Sequence, residues 1–142
     1  MKLFAGLIII AQIFVANCFA AEIYETRARQ ALLIDAETGT VLFEKDADKQ
    51  IPPASLAKLM TMEMVFRSLR TGERSRNDLI HISENAWRTG GASSGGSTMF
   101  AKLDSDIRLD DLMYAVVIQS ANDACIALAE AFAGTEEKFT EA

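Results

Sequence analysis

Pro52-Pro53-Ala54-Ser55-Leu56-Ala57-Lys58-Leu59-Met60-Thr61 is the stretch on which the fold turns. Two prolines hold the backbone extended and bias the residue before each away from the helical region, so a long helix is expected to start near Ala54. Gly72 is its natural stop, because glycine accepts the left-handed conformation that closes many helices. Leu56, Ala57, Leu59, Met60, Met62, Met64, Val65 and Phe66 surround most of this helix. Such a distribution predicts a helix buried on nearly all sides, at the core of the domain.

On the N-terminal side, Ala31 to Asp35 and Thr40 to Glu44 are short apolar runs separated by Ala36-Glu37-Thr38-Gly39. They read as a β-hairpin, two strands of one antiparallel sheet. Asp46 to Gln50 is charged and loop-like. On the C-terminal side, Asp78 to Ile82 is a strand candidate, Ser83 to Trp87 a helical turn, and Gly90 to Ser97 a glycine and serine loop. Leu109 to Gln119 has helical order, as does Ala124 to Ala133, which ends at Gly134. The expected class is α+β, with helices packed on an antiparallel sheet.

Ser55 and Lys58 lie three residues apart, one turn along a helix face, so a hydroxyl and an amine can touch. A serine hydroxyl is a poor nucleophile until a neighbour takes its proton. Lysine can do so as the neutral amine, which the apolar Ala57, Leu59, Met60 and Met62 favour by desolvation. Backbone N–H groups at the helix start are suited to an oxyanion formed during acyl transfer. The same spacing also suits an ordinary capping serine.

Ser120-Ala121-Asn122-Asp123 lies between two helical patterns. In isolation, Ser120 with Asp123 fits a capping box, in which both side chains satisfy free backbone donors. The tripeptide Ser120-Ala121-Asn122 also has the serine, any residue, asparagine form of the second motif of the penicillin-recognising serine enzymes.

Residues 1–20 read as a signal peptide: Lys2 opens it, Leu3 to Val15 is almost wholly apolar, and Cys18-Phe19-Ala20 offers small residues for cleavage. An uncleaved membrane anchor is the rival reading. The expected location is the periplasm or the outer face of the cytoplasmic membrane. The 142 residues carry a formal charge of −6, and loss of Lys2 leaves the mature chain at −7. That balance argues against nucleic acid, whose phosphates demand basic patches. Cys125 is then the single remaining thiol, which excludes an internal disulfide, and no metal-ligand cluster is visible.

From Ala31 to Phe139 the chain resembles the low-molecular-weight serine D-alanyl-D-alanine carboxypeptidases. The likeness rests on Ile34-Asp35-Ala36-Glu37-Thr38-Gly39, Pro53-Ala54-Ser55-Leu56-Ala57-Lys58-Leu59-Met60-Thr61 and Gln119-Ser120-Ala121-Asn122-Asp123-Ala124. It implies a β-lactamase/transpeptidase-like peptidase domain over residues 21–142, an antiparallel sheet with a helical subdomain, incomplete at the C-terminus. It also implies that Ser55 attacks the bond between two terminal D-alanines of peptidoglycan stem peptides, that Lys58 takes its proton and that Ser120 relays protons to the leaving amine. Asn122 would bind the substrate backbone and hold Lys58. β-Lactams would acylate Ser55, no cofactor would be needed, and any membrane attachment of the mature protein would come from a segment outside this sequence.

The resembled family's third motif, lysine, threonine or serine, then glycine on a strand, has no counterpart here: Lys138 is followed by Phe139. The 142 residues alone are therefore expected to lack a partner for the substrate carboxylate and not to turn over. A non-catalytic penicillin-binding or cell-wall sensor, or a truncated gene product without function, are the alternative readings. Gly91 to Thr98 nearly spells a phosphate-binding loop, but Ser97 stands where lysine is required, so nucleotide binding is rejected. His81 and Trp87 are expected to be structural.

Overall fold

The computed structural model describes residues 24–142, so the signal-peptide reading lies outside the described residues. Two compact units are distinguished, divided after Ile51.

In the first unit, β1 (Ala31–Ile34) pairs antiparallel with β2 (Val41–Lys45), as the two apolar runs and the turn between them predict. Leu33 faces Phe43, and the register slips between Leu33 and Ile34. The turn is closed by Asp35, whose carboxylate accepts from the Thr38 amide and hydroxyl, both at 2.7 Å. These bonds hold the Asp35 carboxyl below its usual range. Tyr24 stacks edge-on against Phe43 at 5.1 Å.

The second unit, from Pro52 to Ala142, holds the described core. A 3₁₀ turn (Ala54–Ala57) runs into α1 (Lys58–Thr71), which stops at Gly72 with φ 75°. β3 (Leu79–His81) pairs antiparallel with β4 (Asp106–Arg108). A π-helical turn (Ala86–Gly90) and a short 3₁₀ turn (Ala92–Ser94) lead through the loop between them. Three helices complete the unit: α2 (Leu109–Gln119), α3 (Asn122–Ala133) and α4 (Glu136–Glu141). Among the described residues no helix is long and apolar enough to cross a membrane.

The core is organised around α3, not around α1 as expected. Ala124, Ala127 and Leu128 are fully buried on α3, together with Ala121 just before it. The small alanine side chains let β3, α1, α2 and the π-helical turn approach closely. Gly90 completes this contact, for a Cβ there would lie 2.5 Å from the Asp123 backbone nitrogen. Ile80 and Ile82 bury one face of the β3 segment while His81 points outward, as strand alternation predicts.

On α1 the buried residues are Met62, Val65 and Ser68, whereas Leu59 and Met60, and Leu56 in the turn before them, are each about two-thirds exposed. The expectation of burial on nearly all sides is thus corrected to a single packed stripe. Apolar residues around a helix state what it could bury; the neighbours that arrive decide what it does bury. Trp87, expected to pack, is likewise 40% exposed.

Leu128 is 0% exposed at the centre of this packing. Leu128→Ala should destabilise the fold by about 2–5 kcal/mol, read as a lowered urea midpoint at unchanged slope. A loss below about 1 kcal/mol would show that α3 is not the centre of the core.

Candidate active site

The 3₁₀ turn brings the first two expected site residues together. With three residues per turn, side chains at i and i+3 eclipse one another. Ser55 and Lys58 therefore project on the same side, and Lys58 Nζ lies 3.4 Å from Ser55 Oγ. Ser55 itself is exposed, while Lys58 is half-buried. Ala54, immediately before the serine, has φ 49°, a left-handed conformation rare outside glycine.

The other two expected residues arrive from the junction of α2 and α3. Ser120 ends α2 in the left-handed region, at φ 56° and ψ 36°, and the Ser120 and Ala121 amides donate back to the Val116 and Ala115 carbonyls. Ala121 is extended at the N-cap position of α3 and its side chain makes no capping bond, so the capping box of Ser120 with Asp123 does not form. Ser120 is free to face Lys58, whose Nζ lies 3.1 Å from Ser120 Oγ. Asn122 Oδ1 is closer still, 2.6 Å from the same nitrogen.

One nitrogen thus meets three oxygens, one for each donor of an ammonium group. A neutral amine retains two N–H donors and gains a lone pair. With the donors given to Asn122 and Ser120, the lone pair is left for the Ser55 hydroxyl. Ser55, Lys58 and Ser120 thus form one unbroken line of hydrogen-bond contacts.

Sequence reasoning read Asp123 only as a helix cap. Its carboxylate is fully buried and accepts from Thr98 Oγ1 at 2.6 Å, Met99 N at 3.0 Å, Ala101 N at 3.1 Å and Ala124 N at 3.0 Å. Beside it, the Asn122 amide donates to the Ser97 carbonyl at 2.8 Å. The glycine and serine loop therefore ends on the first turn of α3. A Cβ at Gly96 would lie 2.6 Å from Asn122 Nδ2, so this glycine provides room for the asparagine. Only the Thr98 hydroxyl among these donors is visible in the sequence, and nothing local tied it to Asp123.

His81 stays apart from this cluster, with Nδ1 3.3 Å from Asp106 Oδ1 and Nε2 3.7 Å from Asp104 Oδ1, all three side chains exposed. Among the described residues no group of three or more His, Cys, Asp or Glu side chains is arranged to hold a metal.

The family model described as D-alanyl-D-alanine carboxypeptidase matches residues 17–142, and the chain belongs to this family. The chain is 40% identical over 132 residues to D-alanyl-D-alanine carboxypeptidase DacC of Escherichia coli (strain K12), across 89% of this chain and 33% of that protein. To D-alanyl-D-alanine carboxypeptidase DacF of Bacillus subtilis (strain 168) it is 35% identical over 114 residues, across 80% and 28%. Of the solved structures, penicillin binding protein 5 from Haemophilus influenzae matches with a TM-score of 0.75 at 34% identity, over 83% of this chain and 34% of that chain. The D-alanyl-D-alanine carboxypeptidase DacD from Francisella tularensis matches with a TM-score of 0.72 at 38% identity, over 83% and 27%. The chain spans about a third of the length of the curated relatives it matches. Its fold is the α+β fold of these penicillin-binding and carboxypeptidase structures.

Cys125, one turn into α3, is half-buried. Burial pushes its thiol from the ordinary 9.0 up to about 11, with Lys58 pulling the other way and Asp123 and Glu136 adding to the rise. A raised value means less thiolate, about 100-fold less at pH 8 for a shift of this size. Alkylation of Cys125, followed by peptide mass spectrometry, should be slower than that of an exposed thiol by about that factor and rise about tenfold per pH unit. A plateau below pH 9 would show that the thiol is not desolvated.

Proposed function

We propose that this chain carries the nucleophile, base and proton relay of a serine D-alanyl-D-alanine carboxypeptidase acting on peptidoglycan stem peptides. The observation that carries this reading is the convergence of Ser55, Ser120 and Asn122 on Lys58 Nζ, at 3.4, 3.1 and 2.6 Å. Family membership supports it, and so do the names of the relatives.

In this reading, Lys58 takes the proton of Ser55 as its oxygen adds to the carbonyl between the two terminal D-alanines. The C–N bond then breaks as a proton passes through Ser120 to the departing amine, leaving an acyl-enzyme on Ser55. Water, deprotonated by the same lysine, attacks the ester and releases the shortened stem peptide. Asn122 steadies Lys58 through Oδ1 and offers Nδ2 to the substrate backbone. β-Lactams enter by the same route: their strained amide acylates Ser55, and the ring-opened product remains attached. Residues 1–20 are the export signal and residues 21–142 a part of the peptidase domain, which places the chemistry outside the cytoplasm, where peptidoglycan lies.

A reporter penicillin tests this assignment in the full-length protein. Ser55→Ala should abolish covalent labelling, and a labelled peptide that still contains position 55 in that variant would defeat the assignment. Lys58→Arg keeps the positive charge but gives up the proton acceptor. It should slow acylation by at least about 100-fold, as should Lys58→Ala, because general-base assistance is worth about 10²–10⁴-fold. Wild-type rates in the arginine variant would mean that the lysine contributes charge alone.

A further inference from the structure

The buried carboxylate of Asp123 has no part in the proton path described above, yet it is among the best-satisfied polar groups of the second unit. Oδ1 accepts from the amides of Met99 and Ala124, and Oδ2 from the Thr98 hydroxyl and the Ala101 amide. The Thr98 oxygen in turn accepts from the Phe100 amide at 3.0 Å. All four groups around Asp123 act as donors. An acceptor-only group is therefore required at this position.

The three donors from residues 98–101 lie more than twenty positions before Asp123 in the chain. Their bonds to the carboxylate fasten this segment to the first turn of α3. The neighbouring Asn122 backbone N–H donates to the Ser97 carbonyl of the same segment. Gly96 then lies so close that a single methyl group would collide with Asn122 Nδ2. The far end of that amide, Oδ1, is the closest contact of Lys58.

We infer that Asp123 is a positioning residue: by clamping residues 97–101 to α3 it sets the backbone of Asn122 and the wall formed by Gly96, and so fixes the Asn122 amide against Lys58. The inference rests on the reading of Lys58 as the base. Asp123 touches neither substrate nor the reacting atoms; it acts through Asn122. Where a reacting group is misplaced by about 1 Å, rates fall by about 100-fold.

Asp123→Asn is the direct test, since it preserves shape and turns one acceptor into a donor facing donors. In the full-length protein, the rate constant of Ser55 acylation by the reporter penicillin should fall about 100-fold and its pH profile should shift, while the fraction of molecules that eventually label stays near wild type. A merely structural residue would lower the labelled fraction and leave the rate and pH profile of the surviving molecules unchanged; that result overturns the proposal. Should Asp123→Asn fail to fold, Thr98→Val removes one of the four bonds, and Gly96→Ala presses on the Asn122 amide directly. Both should show the same slowed, pH-shifted acylation, and wild-type kinetics in both would overturn the proposal. A crystal structure of a folded variant gives a readout that does not require activity. Displacement of Asn122 Oδ1 from Lys58 supports the clamp, and an unmoved contact sinks it, whether or not Ser55 is acylated. Failure of the wild-type protein to label would count against the enzyme reading, separately from the clamp.

Discussion

A single amine, Lys58 Nζ, joins parts of the chain more than sixty residues apart: the turn that begins α1, and the junction between α2 and α3. Ser55 reaches it through local geometry, since the 3₁₀ turn sets the spacing. Ser120 and Asn122 reach it only if α3 lies at one depth and angle against α1. The stripe of Met62 and Val65 on α1 and the alanines of α3 fix that relation. Close packing transmits such placement because interiors have little free volume in which to slide.

Placing α3 at the centre resolves two demands that usually conflict. Its middle is apolar and shallow, with Ala124 and Ala127 admitting neighbours on several sides. Its first turn carries Asn122 and Asp123, whose polar atoms are matched by donors and acceptors brought from elsewhere. A buried carboxylate is costly unless its oxygens are answered, and here three donors from residues 98–101 and the Ala124 amide of α3 itself answer them. Among the described residues, no buried side-chain nitrogen or oxygen is left without a partner.

The hairpin, the Gly72 stop and the limits of α2 were legible in the sequence because each is decided by residues within a turn or two of one another. Ser55, Lys58, Ser120 and Asn122 were legible as two short motifs, and the fold does bring them to one point. β4 was not foreseen: Asp106-Ile107-Arg108 has one apolar residue among charges and becomes a strand only because β3 is there to pair with it. The role of Asp123 was hidden for a similar reason. Locally it serves only the Ala124 amide, while its other three donors are contributed by Thr98, Met99 and Ala101.

Backbone strain at the site is arranged to serve the side chains. Ala54 and Ser120 both take positive φ, at 49° and 56°, and each adjoins or supplies a group that faces Lys58. Such conformations cost about 1–2 kcal/mol in a residue with a Cβ. Where the chain only needs to end a helix, as at Gly72, it uses glycine and avoids that cost. At position 120 glycine would give the same turn but no hydroxyl. The strain thus falls where two geometric features coincide: α2 ends within one residue, and that same residue presents an oxygen 3.1 Å from the amine. The burial of Ala121 and of the first turn of α3 provides the packing that holds Ser120 in place against its own preference.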